Sequence, residues 1–358
     1  MTRFLSEKYR GLVPYDTAGE HEPGAFVKLN TNESPCPPSP RARARMAEAS
    51  ATLNFYPDPD GSELTAKVAE LCGVRPDEVL LTCGSDEALS FIFMAFCDAS
   101  RPAAFPDITY SFYEVLAGLN GVPFETVPLN ADLSLRERVS WPSGRTLFLA
   151  NPNSPTGLAL SRAEAERVVQ GNPDDIIVID EAYVDFGTES CAPLIHTYDN
   201  LLVVQTFSKS RSLAGARLGF CLGSEPLIRD LKTIKNSIAP YNLSAATLAA
   251  GLGALEDEAY TRANCRAIME NRAFTEKALK DLGFKVVPSV TNFLLARHPK
   301  LSGQELARRL KEKRILVRSY GAPEALLPYA RITIGTREQM EALLAALKNI
   351  LEESHETC

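Results

Sequence analysis

"LLVVQTFSKSRSLAGARLGF", residues 201–220, decides the reading of the chain. Its opening residues form an apolar run of the kind that is buried on both faces of a parallel sheet. The run passes straight into Ser208 and Lys209 with no Gly, Asn or Pro turn, and Arg217 follows eight residues after the lysine. The small residues between them, "SLAGA", allow close wrapping of the backbone. A lysine at a buried strand end becomes an imine-forming nucleophile when its surroundings depress its pKa.

Similar runs flank this stretch: "AAF" (103–105), "TLFLAN" (146–151), "DIIVIDEAY" (175–183) and "RLGFCLG" (217–223), several separated by helical patterns such as "SRAEAERVVQ". Upstream, "EVLLTCGSDEALSFIFMAFC" (78–97) reads as a strand, a glycine turn and a long apolar helix. Continuous rather than alternating apolar runs imply a mainly parallel sheet covered by helices, so the fold class is α/β. Ligands of such sheets sit outside the carboxyl ends of the strands. Gly84, Asn153, Asp180 and Lys209 are expected to meet there.

Residues 1–40, ending in "NTNESPCPPSP", read as an extended arm rather than a core element, because proline fixes φ and removes donors. Residues 243–283 read as one long, nearly continuous helix bridging to a second unit. Strand "FKVVPSVTNFLLAR", helix "GQELARRLKEKR", strands "ILVRSY" and "YARITIG" and helix "REQMEALLAALKNILEE" then make a compact α+β unit. The expected division is an arm over 1–40 belonging to the small domain, a large domain over 41–240, and a linking helix with the small domain over 241–358.

The 358 residues are 45% apolar, enough for two cores, and the net charge of −7 with scattered basic residues argues against nucleic acid. Eight cysteines without CxxC spacing and four histidines without HExxH exclude the usual zinc patterns and suggest reduced thiols in a cytoplasm. No membrane span or signal peptide is apparent, so small-molecule partners are expected. Neither G-x-G-x-x-G after a strand nor G-x-x-x-x-G-K occurs, which removes dinucleotide-dependent dehydrogenases and P-loop hydrolases.

Singly, these polar residues have ordinary readings as caps, turns and solvated charges. Together they specify a ligand. Asp180 ends the apolar run "IIVID", where a carboxylate is expensive unless a cation faces it. Gly84, Ser85 and Asp86 open a helix whose first amides can bind an anion, and Ser208 and Arg217 can add a hydroxyl and a cationic fork. A cofactor with a cationic ring nitrogen, an aldehyde and an anionic group satisfies them all.

On "LVPY", "LNTNESP", "YPD", "GSDEAL", "YSFY", "NPNSPTG", "DEAYVDF", "TFSKSRSLAGARLGF", "ILVR" and "RITIGTREQ", in that order across nearly the whole chain, the sequence resembles the fold-type I pyridoxal phosphate aminotransferases, most closely those acting on histidinol phosphate. The resemblance implies a large domain with a seven-stranded-type, mainly parallel sheet sandwiched by helices, plus a smaller α+β domain. It implies pyridoxal 5'-phosphate as cofactor, with Lys209 the Schiff-base lysine and proton shuttle, Asp180 the partner of the pyridine nitrogen, Tyr183 a donor to O3' and Tyr110 stacked on the ring. Gly84, Ser85, Asp86, Ser208 and Arg217 would form the phosphate cradle. Tyr56 would reach the cofactor of a second subunit, making a homodimer with shared sites. Tyr15, Asn32, Arg318 and Arg331 would bind a substrate that carries phosphate in one half-reaction and carboxylate in the other.

In the family an asparagine usually precedes "PTG" and donates to O3'; here Ser154 stands there with Asn153 one position earlier, so the resemblance implies that contact from one of the two. The implied reaction converts histidinol phosphate and 2-oxoglutarate to imidazole-acetol phosphate and glutamate, in histidine biosynthesis. The alternatives are a threonine-phosphate decarboxylase or a broad aromatic aminotransferase on the same fold, and a non-catalytic cofactor-binding module.

Overall fold

The structure is a computed structural model that describes residues 2–15, 26–135, 141 and 143–356. The strands are β1 (Val27–Leu29), β2 (Val79–Thr82), β3 (Ala103–Pro106), β4 (Phe124–Val127), β5 (Thr146–Ala150), β6 (Ile176–Asp180), β7 (Leu201–Thr206), β8 (Gly219–Gly223), β9 (Lys285–Val287), β10 (Phe293–Arg297), β11 (Ile315–Ser319) and β12 (Tyr329–Thr333). The α-helices are α1 (Pro40–Ala49), α2 (Ser62–Cys72), α3 (Gly84–Phe96), α4 (Phe112–Asn120), α5 (Arg162–Gln170), α6 (Glu225–Ile238), α7 (Ala245–Glu256), α8 (Glu258–Asp281), α9 (Gly303–Glu312) and α10 (Arg337–Glu356).

Seven strands form a sheet in the order β2-β8-β7-β6-β5-β3-β4, in which only β8 runs against its neighbours. Its central strands alternate between two cores. Leu147, Leu149, Ile177, Ile179, Leu201 and Val203 face one, shared with α2, α5 and α7. Phe148, Val178, Leu202 and Val204 face the other, shared with α3, α4 and α6. Because successive side chains point to opposite faces, burial on both sides requires apolar residues at every position, as the sequence has.

The second sheet has the order β1-β11-β12-β10-β9 and packs through Leu294, Ala330 and Ile332 with α8, α9 and α10. This places the start of the chain differently from the arm reading. β1 pairs in parallel with β11, and Leu29, Asn30 and Asn32 are buried, so residues 27–32 are part of a core. Residues 16–25 of the expected arm lie outside the described residues.

The expected single helix over 243–283 is two helices that break at Asp257. The reason lies in packing. α7 is rich in Ala and Gly and joins the large-sheet core; a Cβ on Gly253 would lie 2.6 Å from the Ala42 Cα of α1. α8 instead buries Cys265, Ile268 and Leu279 in the core of the second sheet, and one straight helix would not serve both. Likewise the run 284–297 is not one strand but the antiparallel pair β9 and β10, interrupted after Val287 by Pro288. β4, mostly exposed and at the sheet edge, had no apolar run to announce it.

Among the described residues no helix is long and apolar enough to cross a membrane, and no metal-ligating cluster of His, Cys, Asp and Glu occurs. The seven described cysteines are unpaired; Cys358 lies outside the described residues.

Candidate active site

At the carboxyl ends of β5, β6 and β7 lies a cavity of about 380 Å³, walled by Ala150, Asp180 and Thr206 and closed by the start of α3 and by loops of the second sheet. Asp180 ends β6 at its floor, 4% exposed. Its carboxylate accepts from the Tyr113 hydroxyl at 3.0 Å and from the Ala182 amide at 3.2 Å. Burial nevertheless pushes its pKa up to about 6. Those two donors soften the desolvation without supplying a countercharge, so the site suits a cationic group above the carboxylate.

Lys209 enters the same cavity from the segment after β7, and its Nζ donates to the Thr31 carbonyl at 3.1 Å. Burial first, and then the Arg331 charge, lower its pKa to about 8, while Glu33 and Asp86 act in the opposite direction. An amine so placed is partly neutral near physiological pH and can act as nucleophile or base.

The start of α3 provides an anion cradle. Gly84 adopts φ +76°, and a Cβ there would lie 2.6 Å from the Arg217 Nη2, so the glycine both permits the turn and admits the guanidinium. Arg217 itself has φ +53° and donates to the Asp86 carboxylate at 3.1 Å. Asp86 also accepts from the Tyr110 hydroxyl at 3.0 Å. The Asp86 side chain is thereby spent on orienting Arg217 and Tyr110; what residues 85 and 86 can offer an anion is the first-turn backbone amides and the Ser85 hydroxyl. Ser208, buried, lines the same end and accepts from Thr206 at 2.9 Å.

Tyr183 is buried above the floor, its hydroxyl accepting from the Asn32 amide at 2.9 Å. Burial raises its pKa, opposed first by Arg331. Asn32 has φ +56° and is fixed by Thr333 and Asn292 as well, so it braces Tyr183 as much as it lines the cavity. Arg331, which packs on the same Phe293 ring as Tyr183, donates to Ser154 Oγ at 3.2 Å and to the Asn30 carbonyl at 3.0 Å. Neither acceptor is charged. Arg318 and Tyr15 line the cavity beside it, with Tyr15 edge-on to Tyr110 at 5.9 Å.

Positions 153 and 154 differ in where they point. Asn153 does not join the strand-end groups in the cavity: it accepts from Thr109 and donates to the Ile108 carbonyl and to Thr156, whereas Ser154 lines the cavity wall. Tyr56 is also outside the cavity, 81% exposed and stacked on Tyr241 at 4.5 Å. Sequence reading missed Thr31, Glu33, Tyr113 and Tyr320. All four lie inside quoted stretches, Thr31 and Glu33 in "LNTNESP", Tyr113 in "YSFY" and Tyr320 in "ILVRSY", but nothing in those stretches marked them out from their neighbours.

The profile of the family "Aminotransferase class I and II" matches residues 25–347. A histidinol-phosphate aminotransferase from Bordetella parapertussis is 46% identical over 354 residues, covering 98% of this chain and 99% of that one. Among solved structures, histidinol-phosphate aminotransferase from Sinorhizobium meliloti in complex with pyridoxal-5'-phosphate superposes with a TM-score of 0.81 at 24% identity, covering 91% of each chain, a likeness of fold. L-threonine-O-3-phosphate decarboxylase from Porphyromonas gingivalis superposes equally well, TM-score 0.81 at 25% identity over 91% of this chain and 100% of that one. With a cavity that joins a depressed-pKa lysine to a buried aspartate, and a profile match over all but the chain's ends, the protein belongs to the class I and II aminotransferases.

Proposed function

We propose that the protein is a pyridoxal phosphate-dependent aminotransferase exchanging an amino group between histidinol phosphate and 2-oxoglutarate, giving imidazole-acetol phosphate and glutamate in histidine biosynthesis. The observation that carries this is the partly buried Arg331, which shares the cavity with Lys209 and has only neutral acceptors among the described residues. Such a guanidinium awaits an anion, and the full-length likeness to a histidinol-phosphate aminotransferase names the anion's carrier.

The cofactor, when bound, supplies an aldehyde for the amine and a protonated ring that stores electrons. Asp180 holds the proton on the ring nitrogen. Lys209 would hold the aldehyde and would carry the proton that leaves or joins the substrate α-carbon. Tyr183 would donate to the ring oxygen, with Ser154 in the position of the usual asparagine, and Tyr110 would stack on the ring. The first-turn amides of α3, Ser85, Ser208 and Arg217 hold the phosphate. Arg331, Arg318, Tyr15 and Asn32 receive the substrate, whose anion is phosphate in one half-reaction and carboxylate in the other. The chain would divide into residues 1–40 with 241–358 and residues 41–240, except that α7 packs with the large unit.

The exposed cluster of Leu53, Phe55, Tyr56 and Tyr241 supports a homodimer in which Tyr56 reaches a second subunit's site. Unpaired cysteines support a cytoplasmic setting. The test is a substrate panel. Purified enzyme should transfer the amino group of glutamate to imidazole-acetol phosphate; release of carbon dioxide from phosphothreonine, with imidazole-acetol phosphate untouched, assigns it instead to the decarboxylases.

A further inference from the structure

A second cavity of about 340 Å³ adjoins the first and shares Tyr15, Tyr110, Ser154, Arg318 and Arg331 with it. Its far wall includes Tyr320, just beyond the end of β11. The Tyr320 ring packs against a small apolar cluster that includes Ile108, Leu295 and Leu326. Its hydroxyl is enclosed yet has no hydrogen-bond partner among the described residues, and the same is true of Arg331 Nε. Buried polar atoms are rarely left so, and each orphan carries a desolvation cost.

The two orphans belong together. Arg331 is the strongest charge acting on the Tyr320 hydroxyl, followed by Arg318, and Tyr320 is the strongest acting on Arg331. Both atoms are donors: burial raises the phenol pKa, so the hydroxyl keeps its proton at neutral pH. Two neighbouring donors without acceptors suit a single anion.

We propose that the Tyr320 hydroxyl and Arg331 Nε bind the substrate's anionic group, and that Tyr320 is the residue that favours a phosphate over a carboxylate there. The inference rests on the substrate reading above and deepens it. A carboxylate has two oxygens, which the arginines satisfy. A phosphate monoester has three terminal oxygens and a larger charge, and the third oxygen needs a further donor. Tyr320 supplies it without adding positive charge, so the carboxylate of the other half-reaction is not overbound.

The test is Tyr320→Phe in the holoenzyme, which keeps the packed ring and removes only the orphan. KM for histidinol phosphate should rise about ten- to hundredfold, the range for a hydrogen bond to a charged acceptor. KM for glutamate should stay within about twofold, and Tm should not fall, because a purely packing role is preserved and a costly unpaired hydroxyl is gone. Equal changes in both KM values, or none in either, overturn the inference while leaving the reaction assignment intact. A wild-type enzyme inert to histidinol phosphate removes the substrate reading and this inference with it.

Discussion

Neutralising Asp180 should stabilise the protein without cofactor and weaken it with cofactor. Burial lifts the Asp180 pKa from the ordinary 3.8 to about 6. That difference corresponds to about 3 kcal/mol of penalty on the ionised carboxylate. For an acid whose folded pKa is raised, the folded state binds more protons between the two values, so stability is fully present below about pH 4 and lost as pH rises to about 6. Asp180→Asn cannot ionise, but it disturbs one of the bonds from Tyr113 and the Ala182 amide, at about 1 kcal/mol. The cofactor-free variant should therefore be more stable than wild type by about 2 kcal/mol at pH 7.5, and less stable by about 1 kcal/mol near pH 4. Glu181, next in the chain and pushed by burial to about 7, contributes to both proteins and cancels in the difference. Saturating pyridoxal phosphate should reverse the order at pH 7.5, because only wild type pairs the ring cation. Urea unfolding followed by circular dichroism, across pH and with or without cofactor, measures each quantity. A difference that does not vary with pH, or equal stabilisation of both proteins by cofactor, would refute the pairing of Asp180 with a cation.

Three further outcomes follow from the cavity. Capture of pyridoxal phosphate by the cofactor-free protein should accelerate with pH through about 8 and level off above it, since the amine of Lys209 reacts only when neutral; stopped-flow absorbance reads this, and a midpoint near 10 would contradict the depressed pKa. Because Glu33 raises the pKa of Lys209, Glu33→Gln should move that midpoint down, and an upward movement would exclude the coupling. Gly84→Ala forces a methyl against Arg217 at φ +76°, so cofactor affinity should fall at least about tenfold and stability by about 1–2 kcal/mol. Gly11→Ala, with open space around it, is the control, and equal behaviour of the two variants in equilibrium dialysis would dismiss the cradle.

The parallel sheet was legible because residues 146–150, 176–180 and 201–204 are buried on both faces, which leaves an unbroken apolar signature. Lys209, Asp180 and Gly84 were legible for a related reason: each interrupts a strongly patterned segment at its end. What escaped had no local pattern to break. β4 is an edge strand with three exposed residues, β1 owes its place to a distant partner, and the break at Asp257 reflects which core each half of a helical stretch must serve. Tyr320 and Glu33 lie within stretches already quoted, "ILVRSY" and "LNTNESP", but only the second sheet set beside the first brings them to the cavities.

Under the proposed function, the serine before "PTG" leaves a donor to the ring oxygen to be found elsewhere. A side-chain amide at that position could donate to the cofactor's ring oxygen over a longer reach than Ser154 has. Here Ser154 Oγ instead accepts from Arg331, and the amide that meets the Tyr183 hydroxyl comes from Asn32, held at φ +56° by bonds to residues of the second sheet. A tyrosine hydroxyl that already accepts from an amide has its own proton free to donate, and that incoming bond lowers the pKa against the pull of burial. Under the proposed function, Tyr183 then becomes the principal donor to the ring oxygen, and its strength depends on β1 and β12 keeping Asn32 in place. The tuning of the cofactor is thereby tied to the position of the second sheet, the part of the molecule that also carries Arg318 and Arg331 for the substrate.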